Sequence, residues 1–191
     1  MSAARIATQA ASTRRNRNLA QRYAWFTLGV AINSFAIALI ARSNLGVGAI
    51  SSVAYVLSAI FPLSFGGFTF IINMLFIVAQ FALLRRDFKP VQLLQVAVNI
   101  VFSGLIDLSG QALAVIPVET VPARAIALFI GCALLALGIA IEVAPNVVLV
   151  PGEGIVRAIN AVSGKPFGSC KAAFDAGLVI VAAALSFVAL G

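Results

Sequence analysis

The sequence predicts an all-α, polytopic membrane helix bundle of about five spans, with two short re-entrant or interfacial helices and an inverted internal repeat. Three observations predict it. The 191-residue chain is 62% hydrophobic and only 10% charged, whereas soluble domains are about 45–50% apolar. Five apolar runs approach or exceed the ~20 residues needed to cross a bilayer. Two glycine-bearing breaks, "NLGVGAISSV" (Asn44–Val53) and "NVVLVPGEGIV" (Asn146–Val156), interrupt those runs in matching places.

Residues 1–21 are polar, basic and small, and read as a disordered cytoplasmic tail. The first span, Tyr23–Ala41, is longer than a signal-peptide core and begins late, so it is read as retained. Tyr23 and Trp25 sit where interfacial anchors belong. A short apolar segment, Ala49–Phe61, follows the first break. The second long run, Phe65–Leu84, ends at the basic "RRDFK" (Arg85–Lys89). Val91–Leu113 is the central span and Ala125–Val143 the next. A second short segment, Gly154–Val162, precedes the last run, Phe167–Leu190.

Shifting the chain by about 102 residues superposes Arg22 on Arg124, Gly29 on Gly131, Ala38 on Ala140 and Asn44 on Asn146. After a two-residue insertion Gly48 meets Gly152 and Pro62 meets Pro166; then Phe65 meets Phe167 and Asn73 meets Asp175. The domain reading is therefore a tail (1–21) and one transmembrane domain (22–191). That domain comprises repeat one (22–89), a connecting helix (90–115) and repeat two (122–191). The short segments are too short to span comfortably. If they return to the side they left, "RRDFK", Arg157, Lys165 and Lys171 all join the N-terminal tail inside, as the positive-inside rule prefers. The repeats are then inverted, and paired interrupted segments in such folds point to a substrate site.

The net charge of +7 is explained by these membrane flanks, so no nucleic-acid partner is expected; the lipid bilayer is the first partner. The chain has no histidine, which removes imidazole metal ligation, His-based proton relays and His-dependent triads. Cys132 and Cys170 fall in or beside apolar runs and suggest no disulfide. No metal, no cofactor and no enzymatic chemistry are expected.

Polar residues inside the runs carry the functional reading. Gln92, Gln95, Asn99, Ser103, Asp107 and Gly110 share one face of the central span at about 100° per residue. Lipid penalises such a face, so it must meet protein or a wet cavity. Asp175 is the leading candidate, because an acid inside a span is costly unless paired or functional. Lys171, four residues earlier, offers a purely structural partner. Glu142 could pair with Arg157, and Asp107 with Arg42. At the breaks, Gly48, Ser51 and Ser52, and in the second repeat Gly152, Glu153 and Gly154, surround helix N-termini, which attract anions. Glu153 complicates that reading, since it can cap its own helix or accept a cation or proton.

At "LGVGAISSVAYVLS", "LSFGGFTFIINMLFIV", "VNIVFSGLIDLS" and "PGEGIVRAINAVSG" the chain resembles the YczE/YyaS/YitT group of small bacterial membrane proteins, over most of Arg22–Gly191. The resemblance implies a bacterial inner-membrane protein of about five spans, in a group presumed to transport. The charged "VPGEG" departs from the Gly-rich turn expected there, which sets Glu153 apart.

The function expected is a small secondary transporter or permease for a small organic solute, with proton coupling as an option. The solute would bind between the two short segments and the polar face of Val91–Leu113. Asp175, with Asn73 opposite, would coordinate it or carry the proton, and Asp107 and Glu142 would act as gates. The alternative is a non-transporting accessory or scaffold subunit of a membrane complex. Five spans enclose little space, which leaves room for a homodimer or a membrane-protein partner.

Overall fold

The computed structural model describes residues 3–88, 90–145, 148 and 150–190, with side chains from Leu19 onward apart from Arg86, Pro90 and Leu190. The readings that involve Met1, Ser2, Lys89, Asn146 and Gly191, and the side chains of Arg5, Arg14, Arg15, Arg17 and Arg86, lie outside the described residues. Seven α-helices account for the described fold: α1 (Ala3–Ser43), α2 (Ala49–Ile60), α3 (Phe65–Leu84), α4 (Leu94–Leu113), α5 (Val121–Val143), α6 (Pro151–Ser163) and α7 (Phe167–Leu190). Five helical segments are long and apolar enough to cross a membrane: Leu19–Ser43, Phe65–Leu84, Val91–Leu113, Val121–Val143 and Phe167–Ala189. The chain is a multi-pass membrane helix bundle.

Local sequence explains where the helices start. Ser64 Oγ accepts from Gly67 N at the head of α3, and Thr120 Oγ1 from Ala123 N at the head of α5. Such caps satisfy donors that a helix leaves free. Two elements depart from the sequence reading. Residues expected as a disordered tail continue α1 back to Ala3, because no glycine or proline precedes Gly29 to interrupt the helix. The "PGEG" stretch is the first turn of α6, not a break before it. Pro151 opens that helix, where the proline's missing N–H costs nothing.

Hydrogen bonds fix the directions of the spans. Ser34 Oγ donates to Phe102 O (3.2 Å) and Arg42 Nη2 to Ala114 O (3.0 Å), so α1 and α4 run the same way. Between α3 and α4 the partners run in opposite order: Gly66 N to Asp107 Oδ1 (2.8 Å), Asn73 Nδ2 to Asn99 Oδ1 (2.9 Å), Gln80 Nε2 to Gln95 Oε1 (3.1 Å). Helices α1 and α5 are also antiparallel, since Arg22 donates to Pro145 O while Ile40 faces Gly131.

This geometry decides what the short helices do. The end of α1 and the start of α3 both lie at the C-terminal end of α4. Helix α2 therefore returns to the side it left. The end of α5 lies beside Arg22, and the start of α7 packs on the far half of α3, with Phe174 against Phe76 (ring centroids 5.3 Å apart). Helix α6 returns likewise. The five spans alternate in direction, and α1–α2–α3 and α5–α6–α7 point opposite ways about α4.

Packing follows the same pattern. Val53 and Ala54 of α2 join Ile72 of α3 and Ala182 of α7 in one cluster; Ile155 and Val156 of α6 join Cys170 of α7, against Phe76 and Ala79, in another. Lipid is as apolar as leucine, so such contacts depend on close fit and polar ties rather than on expulsion from water. The α1–α5 contact shows this. Gly131 and Gly138, two turns apart on α5, and Gly29 on α1 let the two backbones meet.

Candidate functional site

The loop after α1 and the loop after α5 each bring a helix N-terminus into the bundle interior, from opposite repeats. Neither α2 nor α6 has a side-chain cap; Ser51 N and Glu153 N bond back to Gly48 O and Val150 O, which leaves the N–H groups of Ala49 and Ile50 on α2 and of Gly152 on α6 without intrahelical partners. The two tips meet: a Cβ on Gly152 would lie 2.9 Å from Ile50 Cδ1. Beside this junction lies a cavity of about 260 Å³.

Most of the residues singled out from sequence surround this cavity. Gly48 and Ser51 reach it from α2 and its N-cap, Gly152 and Glu153 from α6. Asn73 of α3, Glu142 of α5, and Lys171 and Asp175 of α7 add to the polar lining, together with Thr69. Isoleucines of α1, α2, α3 and α5 supply much of the rest of the wall. A mostly apolar cavity with a few converging polar groups is the usual form of a small-molecule site.

Four of the residues do not line it. Asn99 is fully buried between helices, accepting from Asn73 and donating to Phe70 O at 3.0 Å. Asp107 accepts from Ser64 Oγ (2.6 Å) and Gly66 N (2.8 Å), and so ties the head of α3 to α4. Ser52 Oγ is turned back onto Ala49 O at 2.6 Å. Gly154 packs on the Gln80 carboxamide.

The polar face of α4 is thereby explained. Gln95, Asn99 and Asp107 all bond to α3, so the stripe is helix–helix packing. Phe102 is the α4 residue that reaches the cavity, and the expected seat of a solute against the α4 stripe is taken by α3.

The ion pairs read from sequence divide in the same way. Lys171 Nζ lies 2.7 Å from Asp175 Oδ1, an i,i+4 pair with each side chain about one-third exposed (32% and 30%). The expected Glu142–Arg157 and Asp107–Arg42 pairs do not form. Arg42 instead donates to Ala114 O and Ile116 O (3.0 and 3.2 Å), closing the end of α4. Glu142, 4% exposed, accepts a hydrogen bond from Asn33 Nδ2.

Asn33 is the site residue that sequence reasoning missed. It lines the cavity from α1 and is itself buried. Its signal was an amide within "VAINSFAIAL", an apolar run that otherwise lacks strong polar groups. The approach that joins Asn33 to Glu142 depends on Gly29, where a Cβ would sit 2.6 Å from the Glu142 backbone nitrogen.

Comparison with known families decides what kind of chain this is. Residues 20–191 match the profile of DUF6198, a family of unknown function. The chain belongs to DUF6198. Its transmembrane region, including every helix from the first span onward, is the DUF6198 unit. No curated protein and no solved structure matches the chain.

Proposed function

We propose that this DUF6198 protein is a small secondary transporter or permease for a small organic solute, bound in the cavity beside the α2 and α6 tips. The observation that carries this reading is the convergence of two uncapped helix N-termini, one from each oppositely directed repeat, on one cavity. Inverted repeats with broken segments at their interface are a recurrent transporter design. They let one binding space open to either side as one repeat rocks against the other. The resemblance to the YczE/YyaS/YitT group supports the same reading. It favours a bacterial inner membrane, and the positive-inside rule favours the N-terminal end of α1, the Arg85 flank and Lys165 in the cytoplasm. The role proposed is non-enzymatic.

The accessory or scaffold reading has its own support in the α4 stripe, which serves packing and not a pathway. The two readings part in proteoliposomes. Solutes that stabilise the purified protein are tested for counterflow, in the parent and in the double variant Lys171→Gln/Asp175→Asn. Translocation by the parent, and its loss in a folded double variant, supports transport. Binding with no translocation by the parent removes the transport reading and favours the accessory role.

A further inference from the structure

The charge of the solute follows from the groups around the cavity. Three carboxylates line it, Glu142, Glu153 and Asp175, against one ammonium, Lys171. Lys171 and Asp175 neutralise each other at 2.7 Å. That leaves Glu142 and Glu153. Two helix N-termini oppose them, each equivalent to roughly half a positive charge, about one unit in all. With both ionised, the two carboxylates outweigh that by about one negative charge. Arg22 and Arg42 are not among the residues that line the cavity; both donate to backbone carbonyls at the bundle ends.

Glu142 makes the imbalance consequential. It is 4% exposed, faces the cavity, and has the Asn33 amide as its hydrogen-bond donor. A buried carboxylate held by one neutral donor is costly unless a cation or a proton meets it. Among the described residues no group of three or more His, Cys, Asp or Glu side chains is placed to hold a metal ion. The remaining wall is largely isoleucine with Phe102 and Leu135, which suits an apolar body.

Resting on the transporter reading, we infer that the solute is a small organic monocation, an amine or quaternary ammonium with an apolar body, whose charge sits against Glu142 with Glu153 as the second carboxylate. The α6 dipole favours Glu153 in its own first turn, so Glu142 is the group left to meet the guest. Holding a cation there and holding a proton on the same carboxylate would be mutually exclusive, so loading the cation would release the proton, which gives such a carrier a route to exchange.

The test is calorimetric titration of the full-length, detergent-purified protein with n-butylammonium, n-butyrate and 1-butanol, at fixed potassium chloride. These probes share a body and differ in charge. Binding by butylammonium alone is the expected result. The affinity should fall about ten- to a hundredfold in Glu142→Gln, the worth of one charge-assisted hydrogen bond, and by less in Glu153→Gln. Preference for butyrate means the helix ends dominate and overturns the inference, while leaving a solute site in place. Equal binding of all three, unchanged affinity in a folded Glu142→Gln, or no butylammonium binding also overturns it. Should Glu142→Gln not fold, the comparison of the three probes on the parent decides the matter alone. Butylammonium bound but never carried into proteoliposomes would uphold the cation site and remove the transporter reading.

Discussion

Gly152 and Ile50 lie against each other, although they belong to opposite repeats and are about a hundred residues apart. A Cβ on Gly152 would come within 2.9 Å of Ile50 Cδ1 and 3.2 Å of its Cγ2. Those atoms are the movable end of a side chain, so Gly152→Ala is expected to be tolerated. Gly152→Val needs more room and should push the α2 and α6 tips apart, at about 1–3 kcal/mol. Solute-induced stabilisation should weaken, and Ile50→Ala in the same chain should restore it. Thermal melts with and without solute check this; restoration absent from the double variant would show that the tips are not in contact.

The α1–α5 crossing should be far less forgiving. At Gly29 the added Cβ meets backbone, 2.6 Å from Glu142 N and 2.7 Å from its Cα. Backbone cannot step aside, so Gly29→Ala should cost at least 1–3 kcal/mol by the same overpacking estimate, roughly the upper range for one added carbon. Gly104→Ala, with nothing within 4 Å of its Cβ, should be neutral. Melting both variants in one detergent gives the comparison.

Asp107 is predicted to act as a tie between helices and not as a gate. It accepts from Ser64 Oγ and Gly66 N at the head of α3. Asp107→Ala should cost about 0.5–2 kcal/mol, the usual worth of a lost N-terminal cap. Asp107→Asn keeps an acceptor and should lose less. Transport per folded molecule should be unchanged in Asp107→Asn; a selective loss of flux with an unaltered melt would reinstate the gating role.

The Lys171–Asp175 pair should matter little to stability. Both side chains are about one-third exposed, and i,i+4 pairs on helices are worth about 0.3–0.5 kcal/mol. Lysine preceding the acid is also the weaker of the two orders. Each single neutralisation should shift the melt only slightly, with the double neutralisation close to the parent. A large loss from Asp175→Asn alone would mean that Lys171 is held in drier surroundings than its exposure indicates.

Buried amides explain why the spans were legible in the sequence and their neighbours were not. Hydropathy gives each run and each break, because crossing lipid imposes length on a helix one segment at a time. It is silent on which helix lies beside which. Asp107 and Arg42 are both near one end of the bundle, and pairing them was reasonable on depth alone; yet α3 starts closer to Asp107 than Arg42 does, and its free N–H groups take the carboxylate. The α4 stripe reads from sequence as unable to face lipid, but only the fold shows Gln80 and Asn73 opposite it. A single amide in a span usually means packing, so Asn33 carries little signal of its own. Its weight comes from Glu142, 109 residues away. The matched breaks were the most informative signal, since a doubled irregularity is not required by packing.

The most direct measurement is a thermal-stability screen of the purified protein against small solutes, run in parallel on Ser51→Leu. Ser51 is buried at the cavity wall, and leucine there should fill the space without removing any of the ionisable groups. A ligand that binds the folded state raises its apparent stability. Solutes that stabilise the parent and leave a well-folded Ser51→Leu unmoved are the predicted result. A panel that is flat on the parent, or hits retained at full strength in the filled variant, would contradict a solute site between the two helix tips.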